Sequence, residues 1–260
     1  MHRGIKVMLG IFLLFILAAG VWVVRFGVLP ERAVVGETTA GAEHVMTKQE
    51  VSPVVALEAG VVEADEGLVF DFTPGDFIAS YNGYYGADKG EDYLRPLENW
   101  QSSQVERAVQ MDVPATEYRF RTDESKWTLP QFRITVPEGG EQVSQVAVTY
   151  DEHSYSAATY TLFEEDCNYT LRTFFPDLDD AVCKEIVQTL NQAAYDHTFP
   201  SSQKYQPGTT QLPAMLYQRD GLGVFSYFAI GAPVYFCVIP VDDALLAEYT
   251  ASGVDVREIS

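Results

Sequence analysis

The sequence predicts an α+β fold: an antiparallel sheet of about five to seven strands with helices packed on it, preceded by one N-terminal transmembrane helix. Three observations carry this. An unbroken apolar run, Val7 to Val24, lies between Lys6 and Arg25. Beyond Phe70 apolar residues recur at steps of three and four in some stretches and at steps of two in others. Polar residues suited to capping, and Pro and Gly, separate these stretches. The chain therefore divides into a short cytoplasmic N-terminus (1–6), a transmembrane helix (7–24), a flexible tether (25–66) and a soluble α+β domain (67–260).

The apolar run holds 18 residues. At about 1.5 Å per residue it nearly covers a hydrocarbon core of roughly 30 Å. Arg3, Lys6 and the amino terminus precede it, and Arg25 and Arg32 follow with Glu31 between them. That balance slightly favours the N-terminus inside and the domain extracytoplasmic. Ala18-Ala19-Gly20 resembles a signal-peptidase site, but Val21 to Val24 continue the apolar run past it, which favours a retained single-pass anchor in the cell membrane. Gly10 and Gly20 form no Gly-x-x-x-Gly face, so helix packing within a membrane complex has little support.

No aromatic residue occurs between Phe26 and Phe70, and Gly, Ala, Glu, Thr and Val dominate there. A flexible chain of roughly 40 residues has a root-mean-square span near 35 Å. Val51 to Leu57 carries a short strand pattern.

The domain opens on a helix start. Thr73 suits the N-cap, Pro74 the first helical position, Asp76 the acidic end of a capping box, and Phe72 with Phe77 a hydrophobic staple. Tyr81, Tyr84 and Tyr85 extend the pattern until Gly83 and Gly86 weaken it. Ala87 to Thr116 reads as irregular; Asp88, Glu91 and Asp92 do not match the ligand spacing of a calcium loop. Alternation then marks strands through Tyr118, Phe120; Phe132, Ile134, Val136; and Val146, Val148, Tyr150, with a turn at Pro137 to Glu141. Tyr160, Phe163, Cys167, Leu171 and Phe174 favour a helix over a strand. Asp177 caps a second helix that buries Val182, Cys183, Ile186, Val187, Leu190 and Ala194. Pro200 to Gln211 is a polar loop. Leu222 to Ile230 and Val234 to Ile239 read as a hairpin, the latter apolar on both faces as a central strand is. Asp242 caps a short helix, and Val254 to Ile259 forms an edge strand. Leu129-Pro130 and Leu212-Pro213 mark an internal echo compatible with two αββ units, loosely similar to tandem helix-plus-sheet protein-inhibitor domains, an analogy of fold alone.

The formal net charge is −20. Phosphate binding rests on clustered Lys and Arg, so nucleic acid is not an expected partner. An acidic surface of this kind is a solvated one, with a basic partner or loosely held divalent cations as the alternative. Fifteen Tyr, fifteen Phe and three Trp supply a genuine core.

Three cysteines, Cys167, Cys183 and Cys237, are too few and too scattered for a disulfide framework or a zinc site. Buried thiols are the expectation. Cys167 and Cys183 flank the break near Phe175 symmetrically, so an antiparallel helix pair would bring them near enough for a disulfide. Cys183 and His197 lie roughly 21 Å apart along one helix and are not partners. The richest polar cluster is Asp151-Glu152-His153-Ser154, where either carboxylate could tune His153 as a general base; a polar turn capped by Ser154 is the plainer reading. Asn168-Tyr169-Thr170 matches a glycosylation acceptor inside a helix. Phosphate-loop, Gly-x-Ser-x-Gly and His-Glu-x-x-His motifs are missing. No metal or cofactor is expected.

The functional expectation is a membrane-anchored, extracytoplasmic binding or interaction domain without catalysis, held by the lipid bilayer through residues 7–24, with a protein partner in the cell envelope as one occupant. The alternative is an envelope hydrolase using His153 with Asp151 or Glu152.

Overall fold

A computed structural model describes residues 51–64, 67–108, 111–126, 128–150, 157–198, 212–228 and 234–260. The chain divides into two units, 1–47 and 48–260, and every described residue belongs to the second. The apolar run 7–24 lies outside the described residues. Among the described residues no helix is long and apolar enough to cross a membrane.

The unit is α+β, with a large mixed sheet and four helices among the described residues. A two-stranded ribbon comes first: β1 (Val61–Ala64) against β2 (Gly67–Phe70). Helix α1 (Pro74–Lys89) follows. Strands β3 (Gln101–Val105), β4 (Ala115–Phe120), β5 (Gln131–Pro137) and β6 (Gln145–Tyr150) form an antiparallel meander. Helices α2 (Ala157–Phe174) and α3 (Asp180–Thr198) come next, then β7 (Met215–Arg219), β8 (Leu222–Phe228) and β9 (Val234–Pro240). Helix α4 (Asp243–Ala251) and β10 (Asp255–Glu258) end the chain.

The main sheet has eight strands in the order β10-β7-β8-β9-β6-β5-β4-β3. The expectation of five to seven antiparallel strands is corrected twice: the sheet is larger, and β10 runs parallel to β7. Strand β3 escapes the pattern because Gln101-Ser102-Ser103-Gln104 offers no apolar alternation; it is a polar edge. The chain crosses from β9 through α4 to the far edge, a long-range pairing that local periodicity does not encode. The two halves of the sheet meet through β6 and β9. They are not in-register repeats: Leu129-Pro130 precedes the last hairpin of its half, β5–β6, whereas Leu212-Pro213 precedes the first strand of the other, β7.

Alternation sorts the core onto both faces. Val146, Val148, Val234, Phe236 and Val238 point to α1, α2 and α3, with Phe77, Phe163, Leu171 and Leu190 packed on them. Ala147, Cys237 and Ile239 point the other way and meet α4 through Tyr249, Leu245 and Leu246. Both faces of β9 are therefore covered, as its unbroken apolar sequence predicts.

Helix α1 starts as its sequence dictates. The Asp76 amide donates to Thr73 Oγ1 at 3.3 Å, and the Thr73 amide donates to Asp76 Oδ2 at 2.9 Å. Phe72 and Phe77 both pack on Phe174 of α2, with ring centroids 5.7 and 5.9 Å away. The helix runs on through Gly83 and Gly86 to a left-handed C-cap at Gly90. Both glycines are needed for contact. A Cβ on Gly83 would lie 2.6 Å from the Pro53 carbonyl oxygen, and one on Gly86 2.4 Å from Val51 Cγ1. Residues 51–57 thus lie along α1. Ser80 Oγ donates to the Val55 carbonyl at 2.7 Å, and Ser52 donates to Asp92 through its amide at 3.0 Å and its hydroxyl at 2.7 Å. Val51 to Leu57 carries no strand; its hydrogen bonds go to side chains of the domain instead of a ladder.

Residues 157–174 are helical, which excludes the strand alternative there. The Cys183 amide donates to the Asp179 carbonyl, so α3 starts two residues later than a cap at Asp177 implies. The Asp177 carboxylate is taken by Arg219 Nη2 at 2.5 Å. Asp242 caps α4 as expected, accepting from the Leu245 amide at 2.7 Å. The missed strand β7 turns into β8 through Asp220-Gly221, both at positive φ (54° and 79°). That is the two-residue hairpin turn that Asp-Gly favours.

Candidate functional site

At one end of the helix-covered face, the strands stop in a row. Tyr150 of β6 pairs with Val234 of β9, which pairs with Phe228 of β8. Two helices pass over this row. Tyr160 and Glu164 of α2 are one turn apart and share a side. Gln188, Asn191, Gln192 and Tyr195 of α3 recur at helical spacing on another. With Met215 and Arg257 at the sheet edge, these residues line a cleft of about 1090 Å³. Ligand pockets commonly span roughly 300–1,000 Å³.

The lining combines rings with placed polar groups. Tyr150 meets Tyr160 edge-on at 6.0 Å, and Tyr195 meets Phe228 edge-on at 6.1 Å. Tyr195 is 51% exposed. Asn191 is only 4% exposed. Ser226 Oγ donates to its Oδ1 at 2.8 Å and so orients the amide. Its buried Nδ2 faces the Tyr160 hydroxyl without meeting hydrogen-bond geometry. Burial raises the Glu164 carboxyl above the usual carboxylate range, partly offset by the Tyr160 hydroxyl. The Tyr160 phenol is pushed up to about 12 by burial and then by the Glu164 charge. Arg257 is committed to Asp255, with Nε and Nη2 at 3.0 and 2.7 Å from Oδ2. Among the described residues no cation pairs with Glu164.

A second hollow of about 560 Å³ lies where the end of α1 meets α2 and α3. Each of its cations is paired with a carboxylate, and Glu164 lines this hollow as well as the cleft. Arg172 reaches Asp88 at 2.5 Å and lies over the Tyr169 ring at 5.3 Å. Asp180 accepts from Lys184 and from Asn168 Nδ2, both at 2.6 Å. Lys89 pairs with Glu165. This is a network joining three helices.

A third polar feature is enclosed in the core. Asp166 of α2 accepts from the Tyr81 hydroxyl at 3.1 Å and the Tyr93 hydroxyl at 3.2 Å. Burial raises its carboxyl to about 8 despite both hydrogen bonds. The aromatic rings of Tyr85, Tyr169 and Phe132 close around Tyr81 and Tyr93.

The candidate catalytic residues Asp151, Glu152 and His153 lie outside the described residues. Their neighbour Tyr150 lines the large cleft and is 2% exposed. The three cysteines are free and buried, and Cys167 and Cys183 form no disulfide. Burial pushes the Cys183 thiol up to about 11 and those of Cys167 and Cys237 further. Asn168, Tyr169 and Thr170 are buried within α2, so the glycosylation motif is inaccessible to a glycan-transferring enzyme. Among the described residues no group of three His, Cys, Asp or Glu could hold a metal ion.

Sequence reasoning did not single out Glu164, Asn191, Tyr195 or Arg257. One signal was available: Asn191 sits next to Leu190 and three residues before Ala194, so it falls on the border of the apolar stripe of α3. The convergence of five strands and two helices carries no local signature. Comparison with known proteins brings no relative to this site or this fold: no family model, no curated protein and no solved structure matches the chain.

Proposed function

We propose that this chain is a membrane-anchored, extracytoplasmic binding domain, non-catalytic, that takes its ligand in the cleft between α2, α3 and the ends of β6, β8 and β9. The observation that carries the reading is the cleft: about 1090 Å³, ringed by aromatic side chains, with an oriented buried amide at Asn191. Such a mixture of apolar wall and few placed polar groups is what ligand sites present. The apolar run 7–24 supports the anchor, and the balance of Arg3, Lys6 and the amino terminus before it against Arg25, Glu31 and Arg32 after it supports the orientation. A polypeptide ligand from the cell envelope and a small molecule are both within the cleft's capacity.

The test uses the full chain in a maltoside detergent. Fragment mixtures are screened by ligand-observed NMR against the wild type and against Ala193→Trp, which fills the cleft. Hits lost in the variant support the reading; hits that ignore the variant count against it. Carbonate extraction of membranes tests the anchor, and protease access from either side tests the orientation.

One observation favours a second reading. Tyr150 lines the cleft and leads directly into Asp151-Glu152-His153, and Glu164 offers a carboxyl of raised pKa within it. A hydrolase using His153 with Asp151 or Glu152 would turn over ester, peptide or glycoside substrates, and His153→Ala would abolish that turnover. Turnover that survives His153→Ala removes this alternative.

A further inference from the structure

We infer that the free edge of β3 docks an extended acidic segment of a partner protein, which adds as a further strand and sets its carboxylates against Arg119. This surface is independent of the cleft: β5 and β4 separate it from β6, the nearest strand in the cleft lining. Strand β3 ends the eight-stranded sheet and pairs with β4 alone. Among the described residues its backbone makes no hydrogen bond outside that ladder. In an antiparallel strand every second residue turns its amide and carbonyl away from the neighbour, so β3 presents unpaired groups along its outer side. Folded proteins usually guard such an edge with Lys, Pro, a bulge or a covering element. Gln101-Ser102-Ser103-Gln104-Val105 has no charge and no Pro, pairs with β4 without a bulge, and leaves Gln101, Ser102 and Gln104 exposed. The opposite edge of the sheet is the contrast: in β10, Asp255, Arg257 and Glu258 stand exposed.

The charge beside this edge selects the partner. On the face shared with Ala147, the charged side chains of β4 and β5 are Glu117, Arg119 and Arg133. Arg119 stands directly opposite Arg133 across the ladder, a like-charge pairing that is unfavourable by itself. One carboxylate serves both: Glu117 Oε1 accepts from Arg119 Nε at 2.6 Å and from Arg133 Nη1 at 3.4 Å. One positive charge is therefore left over on this face, and Arg133 keeps a buried Nε with no acceptor among the described residues. Arg119 extends toward the edge. Its Nη2 donates to Ser103 Oγ of β3 at 2.6 Å, so the guanidinium already spans one strand spacing of about 4.8 Å. The side chain is 35% exposed. A carboxylate on an added strand, opposite Gln101 or Ser103, lies one spacing further out, where Arg119 Nη1 reaches it. The next side chain on that face follows two residues along, so the matching segment carries acidic residues in alternation. A second copy of this chain is a poorer occupant, because two bodies of net charge −20 repel each other.

The experiment titrates three end-blocked peptides into the full chain in maltoside micelles and follows peptide NMR signals together with amide hydrogen exchange in residues 101–105. In the first peptide aspartate alternates with threonine. In the second lysine replaces aspartate. The third is the aspartate peptide with every amide N-methylated, which keeps the charge and removes the ladder donors. The aspartate peptide is expected to bind at least about tenfold more tightly than either of the others and to slow exchange in residues 101–105. Arg119→Gln should weaken it about fivefold or more. Ser103→Glu, which sets a carboxylate of β3 itself against Arg119, should do the same, and its partly exposed edge position keeps the test valid if Arg119→Gln were to unfold. Equal binding of the aspartate and lysine peptides, no binding at millimolar concentration, or binding that ignores both variants overturns the inference. Loss of peptide binding in Ala193→Trp also overturns it, by seating the peptide in the cleft. Exchange in residues 101–105 that slows with protein concentration in the absence of peptide assigns the edge to a second copy and overturns it too. The cleft reading stands or falls separately, on whether the fragment screen yields hits that Ala193→Trp removes.

Discussion

The hydroxyl of Tyr81 donates to Asp166 Oδ1 at 3.1 Å in the interior of the domain, where both residues are almost wholly shielded from water. Tyr93 supplies the second donor, at 3.2 Å. Such a carboxyl is costly to ionise, and its folded pKa near 8 stands above its ordinary value of 3.8.

The sign of the resulting pH dependence follows. Between the two values the folded protein binds a proton that the unfolded chain has lost. The contribution of Asp166 to stability is therefore fully present below about pH 4 and declines until about pH 8. Thermal melts between pH 5 and 8 should show the melting temperature falling as pH rises. Asp166→Asn, neutral throughout, should flatten that slope and exceed the wild type in stability at pH 8. Parallel slopes in the two proteins would rule Asp166 out as the source.

Gly83 of α1 is a contact glycine. Exchange of an interior helical glycine for alanine ordinarily stabilises by about 1 kcal/mol. Here the new methyl group would meet the backbone of Pro53 and Val54 at 2.6 and 2.8 Å. Overpacking of this kind typically costs about 1–3 kcal/mol. Gly83→Ala should therefore destabilise, and limited proteolysis should cut residues 51–57 sooner than in the wild type. A rise in melting temperature would contradict this packing.

Removal of residues 1–47 should leave a folded domain, whereas removal of residues 1–66 should not be neutral. The longer deletion strips Val55 from Ser80, Ser52 from Asp92 and Gly60 from Asp71. It should lower the denaturation midpoint in urea by an amount equivalent to several hydrogen bonds, each about 1 kcal/mol. Identical midpoints for the two fragments would show that segment 51–64 contributes nothing.

The capping box of α1 should behave as a coupled pair. Thr73→Ala and Asp76→Ala should each cost about 1 kcal/mol. The double variant should cost less than their sum, because each side chain serves the backbone amide of the other. Strict additivity in urea melts would mean that the two bonds are independent.

The thiols should be protected and unpaired. In denaturant without reductant all three cysteines should react with a thiol reagent, since none is in a disulfide. In the native protein at pH 8 the same reagent should react slowly, because all three are buried with raised pKa values. Fewer than three thiols in denaturant would indicate a disulfide.

Elements with complete local signals were legible in the sequence. Thr73-Pro74-Gly75-Asp76 specifies a helix start with its own hydrogen bonds, and the structure uses all of them. The alternation of Phe132, Ile134 and Val136 marks β5, and the two-faced apolar run from Val234 marks a central strand. Strand β3 was hidden because its residues are polar on an edge, where water satisfies what packing does not. Strand β7 was hidden although Asp220-Gly221 marked its turn. The continuation of α1 through Gly83 and Gly86 was hidden because those glycines make room for Pro53 and Val51, far back in the sequence, and propensity registers only the helix they weaken.

The cleft was hidden for a related reason. Its lining is drawn from α2, α3, β6, β7, β8, β9 and β10, and no two of those contributions make a motif. The sequence by itself determined the α+β class, the capped starts of α1 and α4, the buried strands and the acidic surface, because period, capping chemistry and charge are local or summed properties. Only the tertiary structure decided the sheet order, the parallel return of β10, the buried carboxyl of Asp166 and the placing of Glu164 and Asn191 along one cleft. Those depend on which surfaces come together, and side-chain periodicity fixes the face a residue takes without fixing the partner it meets there.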